Sequence, residues 1–541
     1  MMRSSILLFF VCLFSIELAA QSNRYVIYFS DKADSPYSID RPEEFLSERA
    51  IARRQKQQIA IDETDLPVNP VYIDSVNLLG VKVWYTSKWM NAGLVQVPQN
   101  LAVTLQEQAY IDSVALIAEG EKLTLSKSTF DWPTTFTVPS SNRDSERQNE
   151  LLGVGPMHEA GFKGQGMLIA VFDGGFEGTN LSSAFQHIFE NEQLVDYHDY
   201  VSHGDNIFVY DDHGTSVFST TGAFLEGQFV GTAYEADYAL YVTEEGGSEY
   251  RIEEYNWLMA AERADSLGVD VINTSVGYST GFTSGNMDYT YEDLDGSTAV
   301  ITLAANYAVD KGIIVVSSAG NEGNDPWQYV TAPADGLNVL AVGAINPNEN
   351  LSSFSSLGPT PDGRIKPDVV AMGSQVTIVN SGGNFSSGGG TSYSAPQIAG
   401  FAAALWQAKP ASTNLEIIAD IKASGDRASL PDNEFGYGLP NFDRALNGTV
   451  LAISDIIAGK INVFPNPFSG DFVTIEIDKS LGHGPVTIAL LDAQGRRIKE
   501  ETIIPEKNQK IEYATGELPQ GAYILSFVGQ RMNKTVKLLK I

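Results

Sequence analysis

Three stretches of this 541-residue chain place a reactive side chain at the edge of a buried-looking element. In Gly390-Thr391-Ser392-Tyr393-Ser394-Ala395-Pro396, a serine opens the Ala-rich run Gln397 to Trp406, which reads as a buried helix. Gly388 to Gly390 let the backbone turn tightly just before it. Unsatisfied N–H groups at a helix start favour negative charge, which suits a serine that becomes an alkoxide-like nucleophile. In Ile169-Ala170-Val171-Phe172-Asp173-Gly174-Gly175, a buried parallel strand ends in an aspartate, where open α/β sheets build their sites. In Asp211-Asp212-His213-Gly214-Thr215, a histidine falls in the first turn of a small-residue helix running to Ala223.

Each motif alone has a plainer reading, above all a Gly-Thr-Ser that only caps a helix. Together they make a reaction. A serine hydroxyl is a weak nucleophile and needs a base within hydrogen-bond reach. Neutral imidazole, with an ordinary pKa of about 6.5, takes that proton near pH 7 and returns it to a leaving amine. A buried carboxylate on the other ring nitrogen fixes the tautomer and stabilises the imidazolium. Ser392 is thus the expected nucleophile, His213 the general base and acid, and Asp173 the orienter. A fourth piece, Gly312 to Gly323, is a buried-strand pattern that delivers Asn321 on a glycine-flanked turn. Its amide can donate to a developing oxyanion beside the Ser392 backbone N–H. By itself Asn321 would be a turn residue that tolerates the left-handed region.

With the order Asp, His, Ser, residues from about 150 to 450 resemble a subtilisin-like serine peptidase of the S8 family. The matching pieces are Asp173-Gly174-Gly175, His213-Gly214-Thr215, Asn273-Thr274-Ser275-Val276-Gly277, Gly320-Asn321-Glu322-Gly323, Lys366-Pro367-Asp368 and Gly390-Thr391-Ser392. The resemblance implies an α/β fold, a three-layer catalytic domain around a mainly parallel sheet. It implies a serine endopeptidase that cuts extended polypeptides through an acyl-enzyme, with no cofactor required for the chemistry. Ser275, Val276 and Gly277 would pair with substrate backbone and wall the S1 pocket, with Thr331-Ala332-Pro333 near its base. No acidic residue stands there, which argues against strict Lys/Arg selection. Gly174 departs from the family, which usually has Thr or Ser beside the aspartate.

Competing readings leave marks of their own. Gly277-Tyr278-Ser279-Thr280-Gly281 fits the nucleophile elbow of a serine esterase, but that fold wants its histidine downstream. The only histidine beyond Ser279 is His483, in a different domain. A catalytically silent surface-binding module would show losses among the four positions, and all are filled. His198 and His203, near Asp196, Asp199, Asp205, Asp211 and Asp212, read as a solvated acidic loop more than as a metal site. No pair has the spacing of a zinc site. The metal assignment stays unknown: the resemblance allows structural calcium, but no twelve-residue loop pattern marks it.

The elements that position these residues occupy only part of the chain. Residues 1–20, with Arg3, the apolar core Ile6 to Phe14 and the exit Leu18-Ala19-Ala20, read as a signal peptide. Cys12, the only cysteine, leaves with it, so the remainder has neither disulfide nor thiol nucleophile. Residues 21–125 read as a small α+β module with strands Tyr25–Phe29 and Val81–Tyr85, a charged helix Pro42–Gln57 and a second helix Leu101–Gln108. Before a protease domain at 150–450, such a module suggests a propeptide. Residues 126–149 form a polar linker. Residues 455–541 carry short strands such as Val473–Ile477 and Val486–Leu491, which imply a β-sandwich. Its opening Pro465-Asn466-Pro467 and basic last strand resemble a type IX secretion C-terminal sorting domain. That implies passage through the periplasm to the cell surface or medium, with outer-membrane secretion machinery as partner. No later apolar run is long enough for a transmembrane segment.

Charge divides along the same lines. Residues 151–454 hold 10 basic and 38 acidic residues, a net of −28, while 455–541 hold 11 and 10. Nearly all the chain's formal −32 therefore sits on the catalytic segment, which argues against nucleic acid as a partner.

Overall fold

The structure, a computed structural model, describes residues 22–120, 145–447, 461–477, 486–492, 496–503, 510–516, 518–529 and 532–541. The expected signal peptide lies outside the described residues, as does the expected linker up to residue 144. The linker's last residues instead begin the helix Glu146–Leu152, whose Gln148 and Leu151 are buried. The chain divides into two compact units, Met1–Gly448 and Thr449–Ile541.

The first unit is built on a seven-stranded sheet, ordered Val369–Met372, Leu340–Ile345, Ile314–Ser318, Val271–Thr274, Leu168–Asp173, Asp237–Val242 and Leu194–Asp199. Every neighbouring pair is parallel. Parallel strands need both faces covered, and the sequence supplies near-continuous apolar runs: Leu168 to Asp173 is buried at all six positions. One face packs on the helices His213–Gly222 and Thr391–Ala408 through Val217, Phe218, Ile398 and Phe401. The other packs on Ile252–Leu267 and Val300–Asp310 through Trp257, Leu258, Ile301 and Ala305. This is the three-layer arrangement. The chain leaves the Asp173 strand toward one sheet edge and later returns to its other side, so Asp173 stands at the topological switch point.

Residues 22–120 form a four-stranded antiparallel sheet, ordered Val83–Ser87, Ala92–Pro98, Ser22–Phe29 and Ile111–Ala118. The helix expected over Pro42–Gln57 begins only at Glu48, because Ser47 Oγ accepts the Ala50 N–H at 3.1 Å and caps it there. Val26, Trp89, Leu94 and Ile117 of this module join the core formed by the Ile252–Leu267 and Val300–Asp310 helices. Its charged helix, Glu48–Gln57, turns Arg53, Arg54 and Gln57 inward. Arg53 and Arg54 reach Asp265 at 2.5 and 2.8 Å, and Lys88 reaches the same carboxylate at 2.9 Å. Lys311 returns the exchange by binding Asp65 at 3.0 Å. At the other end of the contact, His203 packs against Trp84 and Tyr85, with ring centroids 5.2 and 4.8 Å away. His203 is 8% exposed, and both its ring nitrogens are buried without a hydrogen-bond partner.

The second unit holds two antiparallel sheets. One orders Ile461–Phe464, Phe472–Ile477 and Lys510–Ala514; the other orders Arg497–Ile503, Val486–Leu491, Gly521–Gly529 and Met532–Lys540. Val473, Ile475 and Tyr513 of the first share one core with Ile488, Leu490, Leu525 and Phe527 of the second, making a sandwich.

Candidate active site

Asp173 ends its strand fully buried, and its Oδ1 accepts both the Gly174 N–H and His213 Nδ1 at 2.8 Å. The strand fixes this carboxylate at the sheet's C-terminal edge, where Thr243 N–H also bonds the Asp173 carbonyl at 3.0 Å. His213 is the first residue of its helix, held there by its own N–H on Asp211 Oδ1 at 2.8 Å. Gly214 is needed next, since a Cβ would meet Gly175 O at 2.3 Å and Asp173 Cβ at 2.9 Å.

Ser392 is the second residue of the Thr391–Ala408 helix and is buried. The residue before that helix, Gly390, has φ +152°, a backbone angle that L side chains rarely adopt. Ser392 Oγ donates to the Ser275 carbonyl at 3.3 Å, and Ser275 Oγ donates to the Ser392 carbonyl at 2.9 Å. Ser392 and the Ser275–Gly277 segment therefore meet directly. Tyr278 and Ala332 exchange backbone hydrogen bonds of 2.9 Å in each direction. A Cβ on Gly277 would strike Thr331 Oγ1 at 2.3 Å. Val276 and Gly277 make no main-chain hydrogen bond among the described residues, leaving an edge that an extended peptide could join. Thr331 lies behind this edge.

Asn321 follows Gly320, whose φ is +106°. Its Oδ1 accepts the Thr391 N–H at 2.9 Å and lies 3.1 Å from the Thr391 hydroxyl. With the carbonyl end so committed, the amide presents its Nδ2 hydrogens as the remaining donors. Asp173, His213, Ser392, Asn321 and Ser275 to Gly277 thus lie along one rim of the sheet.

Sequence motifs point to Asp173 and Asp211 but not to Glu244, the third group that sets the charge here. Burial works against a protonated His213, but the charge and hydrogen bond of Asp173, with Glu244 and Asp211 behind, raise its pKa to about 9. Glu244 is itself pushed up to about 8 by burial, then by Asp173, Glu249 and Asp211. Its signal was positional: Glu244 comes two residues after the strand Asp237–Val242, which pairs beside Asp173. A base must be neutral to accept a proton, so raising its pKa moves the acid limb of activity upward. We expect kcat/KM to climb with pH through about 9 rather than 6.5, and Glu244→Gln to shift the climb downward. A pH–rate profile with its limb near 6.5 in both proteins would refute this.

The competing sites do not assemble. After Ser279 the chain runs as loop into the single turn Gly285–Met287, not the helix an elbow requires. Among the acidic-loop residues, Asp196 binds Arg263, Asp199 caps Val201 and Ser202, His198 binds Asp205, and Asp212 accepts from Ser381. No three His, Cys, Asp or Glu side chains converge as metal ligands among the described residues.

Residues 164–438 match the subtilase family, 24–130 a Peptidase S8 propeptide domain of Bacteroidota, and 462–541 a secretion system C-terminal sorting domain. Subtilisin NAT of Bacillus subtilis subsp. natto is 31% identical over 288 residues, which cover 52% of this chain and 65% of that protein. The thermophilic serine proteinase of Bacillus sp. (strain AK1) is 35% identical over 178 residues, 33% of this chain and 37% of its own. The crystal structure of the epidermin leader peptide processing serine protease from Staphylococcus aureus superposes with a TM-score of 0.54 at 16% identity. It covers 81% of this chain and 100% of that one, a likeness of fold.

Proposed function

Because this chain belongs to the subtilase family, we propose that it is an exported serine endopeptidase working through Ser392, His213 and Asp173. The reading rests on the 2.8 Å bond between fully buried Asp173 and His213 Nδ1, set on the same rim as a serine at a helix start. In the reaction, Ser392 Oγ leaves the Ser275 carbonyl, gives its proton to His213 Nε2 and attacks the scissile carbonyl carbon. The oxygen that becomes negative receives hydrogen bonds from the Ser392 N–H and Asn321 Nδ2. His213 then protonates the departing amine, and the C–N bond breaks to leave an ester on Ser392. Water, deprotonated by the same imidazole, releases the acid. An extended polypeptide would lie along Ser275, Val276 and Gly277 as an added strand.

Residues 21–125 act, in this proposal, as a propeptide that aids folding and inhibits, with its cut within 126–149 or slightly before it. The 455–541 domain would engage outer-membrane secretion machinery and deliver the enzyme to the surface or medium. Structural calcium is common in such enzymes, but no three His, Cys, Asp or Glu side chains mark a site for it among the described residues, so we assign it no ligands.

Fluorophosphonate labelling of the processed chain, mapped by peptide mass spectrometry, tests the reading. Label on Ser392 that disappears in Ser392→Ala supports it. Label on Ser279 would make it a serine esterase, and none on a chain freed of residues 22–120 would make it a silent binding module.

A further inference from the structure

We infer that Tyr393 is a positioning residue for His213, its ring steadying the imidazole where Gly174 leaves the Asp173 carboxylate held on one side only. The inference rests on the peptidase reading above.

Asp173 spends Oδ1 on two donors, Gly174 N–H and His213 Nδ1, while Oδ2 is buried with no partner. A carboxylate anchored through one oxygen can turn about its Cβ–Cγ bond, and the imidazole turns with it. One hydrogen bond at Nδ1 fixes a point on the ring, not the ring plane, and the outer torsion of histidine is intrinsically broad. Gly174, the next residue, carries no hydroxyl that could turn toward the orphaned oxygen. Gly174 has room for one: the atoms nearest a Cβ there are Asp211 Oδ2 at 3.6 Å and Glu244 O at 3.8 Å, ordinary contact distances.

Tyr393 supplies a restraint of another kind. It follows Ser392 in the first turn of the helix, its N–H on the Gly390 carbonyl at 3.1 Å and its carbonyl on Gln397 Nε2 at 2.6 Å. The ring lies 5.9 Å from the His213 ring, tilted by 44°. It also presses on Gly388, where a Cβ would come within 2.8 to 3.1 Å of three ring carbons. Gly388 has no left-handed φ, so the demand for glycine there comes from the tyrosine. A ring wedged between a strand backbone and the imidazole cannot easily yield, and so limits how far His213 can turn. Its electron-rich face also suits the imidazolium formed during catalysis. The phenol itself stays neutral, since burial and then the charges of Asp173, Asp212 and Asp211 push it up to about 12. It therefore acts by its ring, not as a base.

The test is a double-mutant cycle in the full, processed chain, with Tyr393→Phe, Tyr393→Leu, Gly174→Ser and the double variant. We expect Tyr393→Phe to stay within about twofold of the parent, because the ring remains. Tyr393→Leu should lower kcat about 10- to 100-fold with KM nearly unchanged, the scale of a misplaced catalytic group. Gly174→Ser should then recover most of that loss in the Tyr393→Leu background while changing the parent little. Gly388→Ala, which displaces the ring without removing it, should reproduce the kcat loss should Tyr393→Leu fold poorly. A Tyr393→Leu effect confined to KM, or a Gly174→Ser effect of equal size in both backgrounds, overturns the inference. Fluorophosphonate labelling separates the two levels: a parent unlabelled at Ser392 sinks the peptidase reading, whereas a labelled parent with intact Tyr393→Leu turnover sinks only this one.

Discussion

Alanine in place of His213 is expected to lower peptide hydrolysis by about 10⁶-fold, the scale on which subtilisin loses activity when its serine or histidine is removed. The size follows from how little else here can take the serine proton. Ser392 Oγ otherwise donates to a backbone carbonyl, the Ser275 oxygen, which cannot accept a proton outright. Asp173 is fully buried behind the imidazole. What survives is binding and the oxyanion donors, worth about 10³–10⁴ over water. Stability should fall as well, because fully buried Asp173 loses the imidazole that it holds at 2.8 Å. Steady-state hydrolysis of a fluorogenic peptide measures the effect, with the melting temperature as a control. A loss below about a hundredfold, in a folded chain, would mean that another group serves as base.

Asp265→Ala should have the second largest effect, on the hold of residues 22–120 rather than on chemistry. Asp265 is fully buried and satisfies Arg53, Arg54 and Lys88 of that module. Burial alone would raise its pKa, but the charges of Lys88, Arg54 and Arg53 overcome this and hold it well below the carboxylate range. Its contribution is therefore complete above about pH 4 and fades only as pH falls lower. Removing one partner of a buried ion pair leaves uncompensated charge and costs about 3–5 kcal/mol, some 10²- to 10³-fold or more in affinity. In a chain cut between residues 120 and 145, gel filtration should show the variant's module dissociating at concentrations where the parent's stays bound. Arg49→Ala, at a side chain 40% exposed, should cost about 1 kcal/mol or less. Equal losses from the two would mean that the buried cluster does not hold the module.

The candidate site was largely legible because each of its residues sits where a local pattern stops. Asp173 ends an apolar run, His213 and Ser392 open small-residue helices, and Asn321 follows a glycine. The parallel sheet followed from the same runs. Beyond local patterning the sequence was silent. Arg53 and Arg54 belong to a helix read as charged, yet both are buried, because their acceptor lies more than 200 residues away. Periodicity cannot reveal a partner at that distance. The helix Pro70–Leu78 escaped for the opposite reason: only Val76 of its nine residues is buried, so no stripe marks it. The reference pKa of 6.5 for His213 missed Glu244, which a different strand brings to the site.

His203 gives the contact with Trp84 and Tyr85 a sensitivity to acid. Its own loop and sheet edge contribute His198 and, through it, Asp205, while the module brings Lys82, Arg24 and the phenol of Tyr85. Burial, then the positive charges of His198, Lys82 and Arg24, push its pKa down to about 4. Once the module leaves, the ring meets water and returns toward 6.5. A group whose pKa is lowered in the docked state supports docking above its free value and opposes it progressively as pH falls toward the docked one. Between pH 7 and 5 the module should loosen roughly 20-fold, a dependence that His203→Gln would flatten. An unchanged slope in that variant would place the sensitivity elsewhere. The chain would thus carry in one unpartnered imidazole a record of the acidity of the compartment it has reached.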